Sequence, residues 1–268
     1  MKPVYFVGAG PGDPELLTLK GRRLLDEADT IVYAGSLVNP ALLNPDGGGG
    51  ETGGKKKKQR IYDSAGMTLE ETSRILIDAA RSGHLAVRLH SGDISFYSAI
   101  TEQIALLESE GIECEVVPGV SSLGAGAAAL GQELTVPEIS QTVIVTRMAG
   151  RTPVPGSEAI ADLAAHKSTM VIFLSAGMMD KLVGELIKGG YPPHTPAAIV
   201  ERASWPGERV ITGSLEDIAS KARQAGIKKT ALIFVGDALL SGAAGLKKRS
   251  KLYDGDFGHG FRYEKGKR

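Results

Sequence analysis

Three short segments of the chain place small residues and acids directly behind apolar runs. Gly8-Ala9-Gly10-Pro11-Gly12-Asp13 follows Val4 to Val7, His90-Ser91-Gly92-Asp93-Ile94-Ser95-Phe96-Tyr97 closes a run from Leu85, and Val117-Pro118-Gly119-Val120-Ser121-Ser122 closes one from Ile112. Glycine has no Cβ, so its backbone can pass close to a ligand, and open parallel sheets bind small molecules at the carboxyl ends of their strands. Recognition by main-chain groups is the chemistry such loops offer. The first loop departs from the dinucleotide fingerprint: Asp13 stands where the third glycine belongs, Pro11 and Pro14 stiffen the turn, and the second apolar run ends in Ala34-Gly35 without a ribose-binding acid. Taken singly, Asp93 reads as a helix cap and Tyr97 as a core residue. Convergence of three loops on one sheet edge favours a ligand site.

Other chemistries find little support. The five histidines are scattered without metal-ligand spacing, and the single Cys114 has no partner for a disulfide or a thiolate site. Lys+Arg and Asp+Glu both number 31, so no global field gathers nucleic acid. The four consecutive lysines from Lys55 to Lys58 lack interleaved aromatics, which makes a solvated loop the expectation there. No apolar run is long enough to cross a bilayer, and Met1-Lys2-Pro3 leads into a strand-like segment rather than a signal peptide, so a cytoplasmic location is expected.

The elements that must hold these loops alternate between strand and helix. Strands are predicted at Val4 to Val7, Ile31 to Ala34, Leu85 to His90 and Ile112 to Val117, with helices near Thr18 to Ala28, Thr68 to Ser82 and Phe96 to Glu110. Thr68 and Glu71 form a capping-box signature, and Gly83 closes that helix. This rhythm predicts a parallel, helix-covered sheet. An Ala/Gly-rich helix follows at Ser121 to Leu130. A second alternation has strands near Thr142 to Thr146, Thr169 to Leu174, Ala197 to Glu201, Arg209 to Thr212 and Ala231 to Val235, with helices near Ser157 to Ala165, Met178 to Lys188 and Ser214 to Gln224. Two of its strands are close enough in sequence for a hairpin, which predicts a mixed sheet. The division expected is an α/β domain over 1–118, a connecting segment over 119–140, a second α/β domain over 141–240 and a flexible tail over 241–268. The Gly/Lys run from Asn44 to Arg60 and the tail read as unfolded, because their composition cannot bury apolar surface.

In order and spacing, the three loops resemble the tetrapyrrole methylases. The similarity continues through Tyr33-Ala34-Gly35-Ser36-Leu37-Val38, Ser64-Ala65-Gly66-Met67, Thr142 to Arg147, Gly150-Arg151-Thr152-Pro153-Val154-Pro155 and Ala203-Ser204-Trp205-Pro206, and these segments are most similar to the precorrin-4 and cobalt-precorrin-4 C11-methylating branch. Two features depart from the pattern: Gly92-Asp93-Ile94 replaces Gly-Asp-Pro, and the Gly/Lys insert is additional. The resemblance implies a two-domain α/β fold with S-adenosylmethionine in a cleft between the domains, converted to S-adenosylhomocysteine, and a tetrapyrrole substrate in a trough above it. By position it assigns cofactor contacts to Pro11, Ser91, Gly92, Asp93, Phe96, Ser121, Ser122, Leu174, Ala203 and Ala231. The sulfonium is already electrophilic and the ring carbon enamine-like, so alignment and a dry site carry the reaction, without metal or covalent intermediate. Asp93 and Tyr97 are the candidates for removing the proton that leaves. The macrocycle's carboxylates call for cations, and Arg147, Arg151 and Arg88 are the candidates. A homodimer is implied as well. The alternatives are another tetrapyrrole methylase, such as the uroporphyrinogen-III or precorrin-3 enzyme, and a non-catalytic tetrapyrrole-binding protein. His90-Ser91-Gly92-Asp93 and Arg151-Thr152-Pro153-Val154-Pro155 speak against the former.

Overall fold

A computed structural model describes residues 1–43, 59–240, 250 and 257–258 of the chain. Most of the Gly/Lys insert and nearly all of the tail lie outside the described residues. Two compact units are formed, one of Met1–Ala125 with Arg202–Glu208, the other of Gly126–Glu201 with Arg209–Arg268.

The first unit is built on strands β1 (Val4–Gly8), β2 (Thr30–Tyr33), β3 (Arg60–Asp63), β4 (Ala86–His90) and β5 (Cys114–Val117). All pair in parallel, in the order β3-β2-β4-β1-β5. Helix α1 (Leu19–Glu27) covers one face: Leu24 and Leu25 pack with Val7, Ile31, Val87 and Leu89. Helices α2 (Leu69–Arg81) and α3 (Ile100–Ser109) cover the other, where Leu76 and Leu107 pack with Val4, Phe6, Val32 and Ala86. Alternate residues of each central strand thus meet opposite layers, as a sheet buried on both faces requires. The capping box at α2 forms as predicted, Thr68 Oγ1 accepting from Glu71 N and Glu71 Oε2 from Thr68 N.

The second unit carries β6 (Val143–Arg147), β7 (Thr169–Phe173), β8 (Pro196–Glu201), β9 (Arg209–Ser214) and β10 (Ala231–Val235), in the order β6-β7-β10-β8-β9. Only β6 and β7 pair in parallel; β8 and β9 form the predicted antiparallel pair, so the sheet is mixed. Helices α5 (Ile160–Ala164), α6 (Met179–Lys188) and α7 (Ile218–Gln224) bury Leu182, Leu186, Ile218 and Ala222 against Met170, Ile172, Ile199 and Ile233. The Ala/Gly helix α4 (Ser122–Leu130) turns Gly126 onto the Phe234 ring, where a Cβ would not fit.

Several boundaries differ from the sequence reading, each for a local reason. Strand β3 was not foreseen, because this short edge strand leaves Arg60, Ile61 and Asp63 exposed and shows no apolar alternation. Helix α3 starts at Ile100 rather than Phe96, since Tyr97 and Ala99 take left-handed φ of 54° and 53°. Helix α5 is shortened by a preceding 3-10 turn at Gly156–Glu158, and α7 begins only after β9 has run on through Ser214.

Candidate cofactor site at the edge of the parallel sheet

Strand β1 is followed by α1 on one face, and its neighbour β4 leads to α3 on the other. The loops behind these two strands therefore diverge, leaving a crevice at the carboxyl edge where the strand order reverses. All three glycine loops read from the sequence converge there.

Backbone packs on backbone at this edge. Gly10 N donates to Gly92 O at 3.2 Å, Gly92 N to Gly10 O at 2.8 Å and Ala9 N to His90 O at 2.7 Å, tying the β1 loop to the β4 loop. A Cβ on Gly8 would strike the backbone of Gly119 and Gly92, and one on Gly119 would strike Gly92 O, so both positions require glycine. Asp93 fixes the third loop: its Oδ2 accepts from Gly119 N at 2.8 Å and its Oδ1 from Ser95 N at 2.9 Å. Partial burial alone would raise the Asp93 pKa, but the Ser95 side chain and the Gly119, Ser95 and Ile94 amides hold it below the usual value. One carboxylate oxygen thus clamps the β4 loop to the β5 loop, while the other caps the β4 loop's own turn. Gly92 takes the left-handed φ of 65° that favours glycine, and an added Cβ would sit in ordinary contact with Ser122 N, 3.7 Å away.

The β1 loop has further supports that the sequence reading did not assign. Asp13 N donates to Ser204 Oγ at 3.0 Å, Trp205 Nε1 to Pro11 O at 2.8 Å and Asn39 Nδ2 to Gly12 O at 2.7 Å. The indole occupies the place a Gly12 side chain would take, with the Arg202 guanidinium 5.0 Å from the ring centroid. In the sequence Ser204 and Trp205 stand out only as part of the family-like segment Ala203-Ser204-Trp205-Pro206; their separation of 191 and 194 residues from the loop leaves no local signal.

Pro11, Ser91, Asp93, Ser121 and Ser122 are half-buried around this edge, Gly92 and Ala203 are buried, and Phe96 and Tyr97 are 38% and 46% exposed. All belong to the first unit. Leu174, exposed and at φ 53°, and Ala231 at the start of β10 belong to the second. Arg147 turns back on its own loop, donating to Thr152 O at 3.2 Å and Pro153 O at 2.6 Å, whereas Arg151 is exposed.

Arg88 has a different setting from a surface anchor. Its side chain is buried in the α2/α3 layer, where Nε donates to Gln103 Oε1 at 3.0 Å and Nη1 to Ser64 Oγ at 3.0 Å and Val32 O at 3.3 Å. Burial pushes its pKa down to about 10, which leaves it charged at neutral pH. His90, on the same face of β4, stacks on Phe6 at 6.1 Å between centroids; burial first and the Arg88 charge second push it down to about 3. Among the described residues no group of three His, Cys, Asp or Glu could hold a metal ion, and no helix is long and apolar enough to cross a membrane.

Residues 3–219 match the family model of the Tetrapyrrole (Corrin/Porphyrin) Methylases. The chain is 52% identical over 261 residues to the cobalt-precorrin-4 C(11)-methyltransferase of Methanocaldococcus jannaschii, covering 97% of this chain and 96% of that relative. To the precorrin-4 C(11)-methyltransferase of Pseudomonas aeruginosa it is 44% identical over 259 residues, covering 97% and 98%. The fold is similar to the solved structure of a cobalt precorrin-4 methyltransferase, with a TM-score of 0.82 at 43% identity over 88% of this chain and 95% of that one. It is also similar to the uroporphyrin-III C-methyl transferase of Thermus thermophilus complexed with S-adenyl homocysteine, at a TM-score of 0.70, 31% identity and coverage of 89% and 93%. Near-full-length identity of this order, on a sheet edge built from the same loops that carried the resemblance, means that the chain belongs to the tetrapyrrole methylases.

Proposed function

We propose that the protein transfers a methyl group from S-adenosylmethionine to C11 of the precorrin-4 macrocycle in cobalamin biosynthesis. The observation that carries this reading is the 52% identity to a cobalt-precorrin-4 C(11)-methyltransferase along 97% of the chain, which also favours the cobalt-bearing form as substrate.

The first unit suits the cofactor. Small, neutral, backbone-presenting residues with one carboxylate and an aromatic surface match a nucleoside bearing an amino-acid tail, and the absence of a side chain at Gly92 lets a ligand come close to the backbone. Pro11, Ser91, Gly92, Phe96, Ser121, Ser122 and Ala203 are the proposed contacts there, with Asp93 holding the β4 and β5 loops in register. When bound, the cofactor supplies an electrophilic methyl group and needs no activation by the protein. The chain's residues orient the partners and keep the site dry. Asp93 and Tyr97 are the side chains proposed to stand near the proton that leaves; with both Asp93 oxygens engaged and its pKa lowered, that proton is passed on to solvent rather than kept by the protein. Arg151 and the Arg147 loop are the proposed holders of substrate carboxylates.

The same proposal makes the protein a homodimer in the cytoplasm, which sedimentation and cell fractionation test. For the activity, purified protein is incubated with S-adenosylmethionine and either precorrin-4 or cobalt-precorrin-4, and the products are weighed by mass spectrometry. A single added methyl group at C11 is the expected result. Its absence from both substrates overturns the reading.

A further inference from the structure

We infer that Trp205 is a positioning residue that sets the geometry of the β1 loop for cofactor binding, and that it does so through Gly12. The inference rests on the cofactor assignment above. The loop from Ala9 to Asp13 is short and glycine-rich; main-chain bonds to His90 and Gly92 pin Ala9 and Gly10, and the stretch from Pro11 to Asp13 must be fixed by groups elsewhere. Three groups from outside the loop do this. Trp205 Nε1 takes up Pro11 O, Ser204 Oγ takes up Asp13 N, and Asn39 Nδ2 takes up Gly12 O, so three consecutive residues each have one main-chain polar group committed away from a ligand. What stays available to a ligand is decided by these commitments.

The Gly12 and Trp205 pair is complementary in size. Gly12 does not have the left-handed φ that would itself demand glycine, and the three atoms nearest an added Cβ all belong to the indole. Glycine is needed at Gly12 because the ring occupies the place of its side chain. Ser204, at φ 64°, and Arg202, at φ 52°, are non-glycine residues in the left-handed region on either side of buried Ala203. Such conformations persist only where surrounding contacts over-determine them. The hydrogen bonds from Trp205 and to Ser204, with the Arg202 guanidinium over the indole, are contacts of that kind. Segment 202–208 is thus held in a tense conformation while presenting its side chains to the β1 loop.

Because Trp205 is the sole tryptophan of the chain, the intact protein reports on this contact optically. Titration with S-adenosylhomocysteine is expected to shift or quench Trp205 emission in step with the heat of binding measured by calorimetry. Trp205→Phe keeps a ring against Gly12 but leaves Pro11 O without its donor, and is expected to weaken S-adenosylhomocysteine roughly fivefold. Trp205→Ala removes the ring as well and should weaken it further. Gly12→Ala should weaken binding strongly in the wild-type background and little in the Trp205→Ala background, the coupling expected of residues that act through one another. Thermal melting of each variant separates lost affinity from lost folding. Wild-type protein that fails to bind S-adenosylhomocysteine overturns the cofactor assignment itself. Wild-type binding with silent Trp205 emission, or with additive effects of Gly12→Ala and Trp205→Ala, overturns the positioning role and leaves the assignment standing.

Discussion

His90 shows how one side chain on a central strand ties the site edge to the pH response of the whole protein. The imidazole is buried beside a guanidinium, so the folded protein keeps it neutral down to about pH 3, whereas an unfolded histidine takes up a proton near the ordinary 6.5. Between those values the unfolded chain binds the extra proton. Stability contributed by neutral His90 is therefore complete above pH 6.5 and is lost as pH falls toward 3. Asp93 acts in the same sense, because its lowered pKa means that the unfolded carboxylate protonates first on acidification. The slope expected from His90 alone is about 1.4 kcal/mol per pH unit inside the window. Urea unfolding at pH 7, 6, 5 and 4 should show the free energy falling, and His90→Leu should flatten the fall. An unchanged slope in that variant would mean that His90 is protonated without cost in the folded state.

At the scale of elements, Arg88 links β4 to β2, to Ser64 behind β3 and to α3, with Gln103 passing the contact on to Ala99 O at 3.1 Å. Ala99 and Tyr97 are the left-handed residues that delay the start of α3, so the buried guanidinium stands behind the loop that carries Phe96 and Tyr97. Replacing Arg88 with Met relieves a buried charge but strands three acceptors, and a net loss of about 1–3 kcal/mol is expected. Adding Gln103→Leu should cost less than the sum of the single changes, and amide exchange should quicken in the first turn of α3. Additive losses would separate the two residues. The sequence made the parallel sheet, the capping box of α2 and the converging loops legible, because periodicity, capping and glycine placement are local signals. It could not show that Arg88 faces inward. In a strand buried on both faces there is no polar side for a charge to mark, and only the register with Phe6 and Val32 reveals its layer. For the same reason Trp205 and Ser204 stayed without a role, their partners being nearly two hundred residues away.

At the scale of the whole molecule, a chain with 31 cationic and 31 anionic side chains has to hold a substrate that carries several carboxylates. Local cations must therefore supply what the net charge does not. The two arginines proposed for this differ in their surroundings. Arg147 spends two donors on Thr152 O and Pro153 O and so shapes the loop that carries Arg151, while Arg151 has no ion pair or hydrogen bond among the described residues. Arg151→Ala should then remove a direct charged contact, raising KM for the tetrapyrrole with an energetic cost of about 1.5–3 kcal/mol. Arg147→Ala should act indirectly by loosening the loop, and Arg147→Lys should recover only part of the loss, because one ammonium lacks the planar two-point grip on both carbonyls. The double Ala variant should still bind S-adenosylhomocysteine with wild-type affinity, since the loops proposed to hold the cofactor in the first unit use neither residue. Steady-state kinetics with the natural precorrin beside calorimetric titration of S-adenosylhomocysteine separates these outcomes. A double variant with normal KM and turnover would show that the carboxylates are held by other cations and that Arg147 serves only its own loop.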